Sequence, residues 1–152
     1  MFVKEKLIDL LGDLVKINND RVEEYQHACD ATDDTDLKAL FQQMMDDSRN
    51  FAHRLNDELA AMASSVGTNI TTGMLYRTWM DVKTAFSGKD RHAILSSCEF
   101  GEDAAQRAYT DALKSDTPMP YYIREIIASQ RAVLRDAHDT IKTFRDLAHA
   151  HR

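Results

Sequence analysis

Apolar residues recur at alternating intervals of three and four in four long segments of this chain, and this spacing limits the fold more than any other feature. In the third segment the series is Leu95, Cys98, Glu102, Ala105, Tyr109 and Ala112, with one charged member. Such spacing places its residues along one face of an α-helix, because a helix turns once every ~3.6 residues. Each helix must bury that face against other helices, so the sequence predicts an all-α four-helix bundle.

The ends of the predicted helices are marked by local sequence. Helix 1 covers about residues 3–31 and helix 2 about residues 36–64. Helix 3 begins after Asp90, a suitable N-cap residue, and helix 4 follows the segment Pro118-Met119-Pro120. A chain of 152 residues suits one hydrophobic core, so residues 1–152 are expected to form a single domain.

The lengths of the connections predict how the helices are joined. Helices 1 and 2 are separated by a few residues, as are helices 3 and 4, so each pair should form an antiparallel hairpin. About 25 residues separate helices 2 and 3, and Met74–Phe86 within them has its own amphipathic pattern. Two hairpins joined by a long crossover containing a short helix form a ferritin-like four-helix bundle. An up-down-up-down bundle with a decorated loop is the alternative.

Each apolar face carries one polar residue near the middle of its helix, and we expect the four to meet at one level as a polar layer. A buried carboxylate costs several kcal/mol unless it is paired, so Glu102 should receive hydrogen bonds from Asn18, Gln130, Tyr25 or Arg21. The layer is either structural or holds a small ligand. If it is structural, Glu102→Leu should be tolerated or stabilising. The polar layer consists of Asn18, Ser48, Glu102 and Gln130.

Several stretches of the chain resemble a known family. The most specific is Cys98-Glu99-Phe100-Gly101-Glu102-Asp103 on helix 3; Leu37-Lys38-Ala39-Leu40-Phe41 precedes it, and His138-Asp139 follows on helix 4. The chain thereby resembles a family of small ferritin-like four-helix-bundle proteins catalogued as a domain of unknown function. The resemblance implies the bundle and, by analogy with the wider superfamily, a stress-related role, but it implies no activity.

Metal-carboxylate chemistry is the sharpest alternative function. Ferritin-like di-iron proteins use one Glu from each of two helices and a Glu-x-x-His pair from each of the other two. This chain has that pair once, as Glu24-x-x-His27, so no dinuclear site and no cofactor is expected. A mononuclear iron, manganese or zinc site would draw on Glu24, Glu99, Glu102 and His138, and would make the protein a metal-dependent oxidoreductase or a metal-binding protein. Otherwise Glu99 and His138 should form an exposed pair between helices 3 and 4.

Charge and hydropathy exclude several classes of partner. A net charge of −6 with scattered basic residues argues against binding to nucleic acid or to anionic lipid. No stretch approaches the ~18 apolar residues of a membrane span, and the N-terminus lacks the apolar core of a signal peptide. Cys29 and Cys98 are expected to be buried and reduced. These features predict a cytoplasmic protein.

Three functional hypotheses follow. The leading one is a non-catalytic bundle whose polar layer is structural or binds a small ligand, and the second is the metal-dependent protein described above. The third is a protein–protein adaptor that uses the crossover helix, where Tyr76 and Trp79 would form a contact surface or the interface of a homodimer.

Overall fold

Four α-helices make up the part of the chain that the structure, a computed structural model, describes. Backbone is described for residues 3–66 and 90–150, and side chains for residues 4–62 and 90–148. No strand occurs within these ranges. The four predicted helices are confirmed, and the bounds predicted for helices 1 and 2 and the starts predicted for helices 3 and 4 lie within two residues of those observed. They are α1 (Val3–Ala31), α2 (Thr35–Val66), α3 (Arg91–Lys114) and α4 (Tyr121–Ala150).

Local hydrogen bonds explain where the helices begin and end. Asp90 has an extended backbone, and its side chain accepts the His92 N–H at 3.2 Å, which satisfies one of the free donors at the start of α3. The Pro120 carbonyl accepts the N–H groups of Ile123 and Arg124, in the first turn of α4, at 3.1 and 3.2 Å. At the end of α1, Lys38 Nζ donates to the Cys29 carbonyl at 2.6 Å. Lys38 thereby also ties the last turn of α1 to the first turns of α2.

Contacts between helices fix their directions. Helix α1 packs on α2 and on α3, and α3 packs on α4. Asn18 of α1 contacts Tyr109 of α3, whereas Tyr25, further along α1, contacts the earlier residue Glu102. Helices α1 and α3 are therefore antiparallel. Because α2 and α4 each return beside the helix that precedes them, α2 and α3 point in the same direction.

The parallel direction of α2 and α3 decides between the two topologies. Arg91, at the start of α3, pairs with Asp34 and Asp36 at the start of α2, at 2.9 and 2.7 Å. The end of α2 and the start of α3 therefore lie at opposite ends of the bundle. The two antiparallel hairpins are confirmed, and the up-down-up-down alternative was wrong. The short helix predicted over Met74–Phe86 lies outside the described residues.

Two buried hydrophobic clusters fill the bundle, one at each end of the polar layer. The larger contains Leu11 and Ile127, and the smaller contains Phe41 and Ile141. All six residues predicted for the inner face of α3 are buried. Helix α1 is buried over a wider surface than predicted, because it contacts both α2 and α3. Among the described residues, no helix has an apolar stretch that would let it cross a lipid bilayer.

Candidate functional site

A buried ion pair lies in the middle of the bundle. Arg21 Nε of α1 is 2.6 Å from Glu102 Oε1 of α3, and the two side chains are 1% and 0% exposed. The Tyr25 hydroxyl donates to the same oxygen at 2.6 Å. Hydrogen bonds to an ionised carboxylate are the strong ones in proteins. Two of the donors considered from the sequence therefore hold the Glu102 carboxylate.

The rest of the Arg21 guanidinium reaches α2. Nη1 donates to the Met44 carbonyl at 3.1 Å and to the Ser48 hydroxyl at 2.6 Å, and Nη2 lies 3.3 Å from Met44 Sδ. The guanidinium carbon is also 5.2 Å from the centre of the Tyr25 ring, a distance at which a cation is attracted to an aromatic face. One side chain of α1 thus binds both neighbouring helices.

A chain of hydrogen bonds continues from Ser48 to α4. The Ser48 hydroxyl donates to Asn18 Oδ1 at 2.9 Å, and Asn18 Nδ2 donates to the Tyr109 hydroxyl at 2.7 Å. Tyr109 donates to Gln130 Oε1 at 2.6 Å, and Gln130 Nε2 donates to the Phe51 carbonyl at 3.4 Å. The polar layer, with Arg21, Tyr25 and Tyr109, is therefore one network that joins all four helices. The side-chain amides and hydroxyls of Asn18, Ser48, Tyr109 and Gln130 all have partners, which keeps the cost of burying these groups low.

Burial and charge shift the pKa values of the network. Burial lowers the pKa of the Arg21 guanidinium, but the charges of Glu102, Tyr25 and Asp47 and the hydrogen bond to Glu102 together raise it more, so the pKa lies above its ordinary value and Arg21 stays charged. Burial, followed by the charge of Glu102, raises the pKa of Tyr25. Burial also raises the pKa of Tyr109. Both phenols therefore stay protonated and act as hydrogen-bond donors.

The second oxygen of Glu102 differs from the first. Oε2 is buried and has no hydrogen-bond partner among the described residues. Glu24 of α1 is also buried, at 3% exposed. Burial first, and then the charges of Glu102 and Glu24, raise the pKa of Cys98. The two carboxylates and this thiol therefore share one region of the core.

The four candidate metal ligands do not converge on one point. Glu102 faces Arg21 inside the bundle, whereas Glu99 pairs with Arg145 of α4. His138 Nε2 lies 2.6 Å from Asp103, so the expected pair between Glu99 and His138 is replaced by two other ion pairs. Within the described residues, no group of three or more His, Cys, Asp or Glu side chains is arranged to hold a metal ion.

The sequence indicated Arg21 as one possible donor to Glu102 but not as the centre of the network, because either Arg21 or Val22 could occupy the inner face of helix 1 at this point. Asn18 and Tyr25 lie three residues before Arg21 and four after it. Residues at these spacings share one side of a helix. This spacing could have indicated that Arg21 faces the core. In the structure Arg21 is buried, whereas Val22 is only partly buried.

The ion pair between His138 and Asp103 is expected to make stability depend on pH. Burial lowers the pKa of His138, but hydrogen bonds with Asp139 and Asp103 and the charges of Asp103 and Glu99 together raise it more, so the folded pKa exceeds the ordinary 6.5. The stabilisation is therefore complete below about pH 6.5 and is lost as the pH rises through the folded pKa. In urea unfolding, His138→Asn should lose more stability near pH 5.5 than near pH 9. The control is His53→Asn, with a side chain 81% exposed. An equal loss at both pH values would contradict the assignment.

Comparison with known proteins places the chain in a family. Residues 6–115 match the family model described as Domain of unknown function (DUF2383), which spans the ion pair and most of α1, α2 and α3. Gln130 and the rest of α4 lie beyond the match. No curated protein matches the chain. Because more than half of the chain fits the family model, the protein belongs to the DUF2383 family, whose function is unknown.

Proposed function

We propose that the protein is a non-catalytic bundle of the ferritin-like class, in which the polar layer holds the four helices in one register. The observation that carries the proposal is the buried ion pair between Arg21 and Glu102, at 2.6 Å. The parallel direction of α2 and α3 supports the ferritin-like class, because that class has one long crossover between two hairpins.

The guanidinium supplies the positive charge that a metal ion would otherwise supply. In ferritin-like metal proteins, carboxylates on the inner faces of the helices hold the cations. Here Arg21 neutralises the carboxylate of Glu102, and its other N–H groups bind Met44 and Ser48. A metal ion that binds Glu102 would have to displace the Arg21 guanidinium, which is part of the chain and cannot diffuse away.

The hydrogen bonds of the layer favour a structural role over the binding of a small ligand. Asn18, Ser48, Tyr109 and Gln130 already use their polar groups on one another or on the backbone. Sliding one helix by a turn would separate these partners and bury them unpaired, at about 1–3 kcal/mol for each group. Buried polar residues fix the register of some coiled coils in the same way.

Other expectations from the sequence stay predictions. The crossover residues Tyr76 and Trp79, on which the adaptor hypothesis depends, lie outside the described residues. The stress-related role rests on analogy alone, and cytoplasmic location and a homodimer have no support beyond the sequence.

Elemental analysis tests the proposal against the metal hypothesis. Untagged protein is purified from cells grown with added iron, manganese and zinc, and its bound metal is measured per chain. We expect far less than one metal ion per chain, because the Arg21 guanidinium already neutralises the Glu102 carboxylate. Glu102→Gln and the exposed control Glu125→Gln should contain the same trace amount as the wild type. Circular dichroism checks that each variant is folded.

One result would end the proposal. Stoichiometric metal in the wild type, lost in Glu102→Gln and retained in Glu125→Gln, would show that the carboxylate is a ligand. The function would then be that of the metal-dependent alternative.

A further inference from the structure

The two cysteines of the chain lie at the same level of the bundle, on neighbouring helices. In the antiparallel contact between α1 and α3, Tyr25 meets Glu102. Cys29 follows Tyr25 by four residues, and Cys98 precedes Glu102 by four residues. The two cysteines therefore lie at the same height on α1 and α3, about one helical turn from the ion pair. No sequence motif indicates this pairing, because the cysteines are far apart along the chain.

Burial and electrostatics place the two thiols close together. Cys29 and Cys98 belong to the same buried cluster and are 4% and 5% exposed. The charge of one thiolate also acts on the pKa of the other, after larger effects of burial and nearby carboxylates. Packed helix axes are ~8–10 Å apart and Cα atoms lie ~2.3 Å from each axis, so Cα atoms that face each other directly are roughly 3.4–5.4 Å apart. Disulfides need ~4.4–6.8 Å between Cα atoms.

We propose that Cys29 and Cys98 form a reversible disulfide that ties α1 to α3 when a hydroperoxide oxidises them. The structure shows the reduced state, in which both thiols are free. The disulfide would join the α1–α2 hairpin covalently to the α3–α4 hairpin. This inference is independent of the structural role proposed for the polar layer.

The surroundings of the two thiols assign them different parts in the reaction. Cys29 is near the end of α1, and the Lys38 ammonium opposes the effect of burial on its pKa. Cys98 lies seven residues after the start of α3, and the carboxylates of Glu102 and Glu24 add to the effect of burial in raising its pKa. Because the thiolate is the nucleophile, Cys29 is the attacking residue and Cys98 is the resolving residue.

The two steps balance as follows. The Cys29 thiolate attacks one oxygen of hydrogen peroxide and the O–O bond breaks; hydroxide leaves and takes up a proton, and Cys29 becomes a sulfenic acid. The Cys98 sulfur then attacks the Cys29 sulfur, the S–O bond breaks, and a second water leaves. Two thiols lose two protons and two electrons, and one peroxide becomes two water molecules. Thiol reductants reverse the change by exchange.

Burial slows the reaction in the closed bundle. Burial is the main cause that raises the pKa of Cys29 and that of Cys98, so few thiolates are present near neutral pH. Cys29 is two residues from the end of α1, and helix ends open locally more often than the middle of a helix. Oxidation is therefore expected to follow opening of the α1–α2 turn and to need sustained exposure to peroxide.

Peptide mapping tests the proposal on the full-length wild-type protein. Reduced protein is exposed to hydrogen peroxide, free thiols are blocked with N-ethylmaleimide, and the digest is analysed without reductant. We expect one linked pair of peptides, containing Cys29 and Cys98, and an intact chain that has lost two hydrogens. The oxidised protein should unfold at a higher temperature, because the crosslink restricts the unfolded chain, and dithiothreitol should remove the shift.

Two single variants test the roles of the thiols. In Cys98→Ala, the sulfenic acid at Cys29 has no resolving thiol and should be trapped by dimedone; in Cys29→Ala, labelling of Cys98 should be several times weaker. The proposal is overturned if peroxide oxidises each cysteine of the wild type separately to sulfinic acid. It is also overturned if disulfides form only between chains, or if both thiols survive a treatment that fully oxidises free glutathione.

Discussion

Replacing Arg21 with methionine is expected to destabilise the protein by about 3–5 kcal/mol, because it breaks a buried ion pair by removing one partner. The variant removes the guanidinium but leaves the Glu102 carboxylate buried beside Tyr25 alone. It also removes donors to Ser48 and to the Met44 carbonyl. Urea unfolding followed by circular dichroism measures the loss. Arg49→Met is the control, because Arg49 forms an exposed ion pair with Asp46 and should change stability by no more than about 1 kcal/mol.

The double variant Arg21→Met with Glu102→Leu separates the cost of a broken pair from the worth of the pair. Replacing both members of a buried ion pair with apolar residues of similar volume is often neutral or stabilising. We expect the double variant to regain most of the stability that Arg21→Met loses. If Arg21→Met loses less than about 1 kcal/mol, Glu102 does not depend on this guanidinium and the central claim of the structural proposal is wrong.

The ion pair also changes what a single exchange of Glu102 should do. From the sequence, Glu102→Leu was expected to be tolerated or stabilising. The structure shows that this exchange would leave the Arg21 guanidinium buried without its ion-pair partner. We therefore expect Glu102→Leu alone to destabilise the protein, and only the double exchange to be tolerated.

The helices and their inner faces could be predicted from the sequence because both depend on local spacing. The residues predicted for the inner face of α3 include Glu102, Tyr109 and Ala112, and all of them are buried. A charged residue within such a series does not change which side of the helix faces the core. The N-cap at Asp90 is equally local, since it involves atoms only two residues apart.

The partners of polar residues could not be predicted, because they depend on the register and rotation of neighbouring helices. Glu99 and His138 lie on adjacent helices, as expected, but Glu99 pairs with Arg145 and His138 pairs with Asp103. A shift of one turn in either helix changes which side chains meet. The burial of Glu24 could not be predicted either, because it results from contacts of α1 with two neighbouring helices and not from the spacing of one apolar face.

The second large effect is expected from Tyr109→Phe, which removes one hydroxyl from the centre of the network. That hydroxyl accepts a hydrogen bond from Asn18 and donates one to Gln130. Without it, the buried Gln130 Oε1 loses its donor, and the Asn18 amide nitrogen keeps only its bond to the Leu14 carbonyl. An unsatisfied buried polar group costs about 1–3 kcal/mol, so we expect a loss in that range in urea unfolding.

Two further variants show whether that loss comes from the network. Tyr121→Phe removes the same atom from a residue that is 76% exposed, and should change stability by no more than about 0.5 kcal/mol. Adding Gln130→Met to Tyr109→Phe removes the orphaned acceptor and should restore part of the loss, because replacing both partners is less costly than removing one. Equal effects of Tyr109→Phe and Tyr121→Phe would instead mean that the hydrogen bonds joining α1, α3 and α4 add nothing to stability.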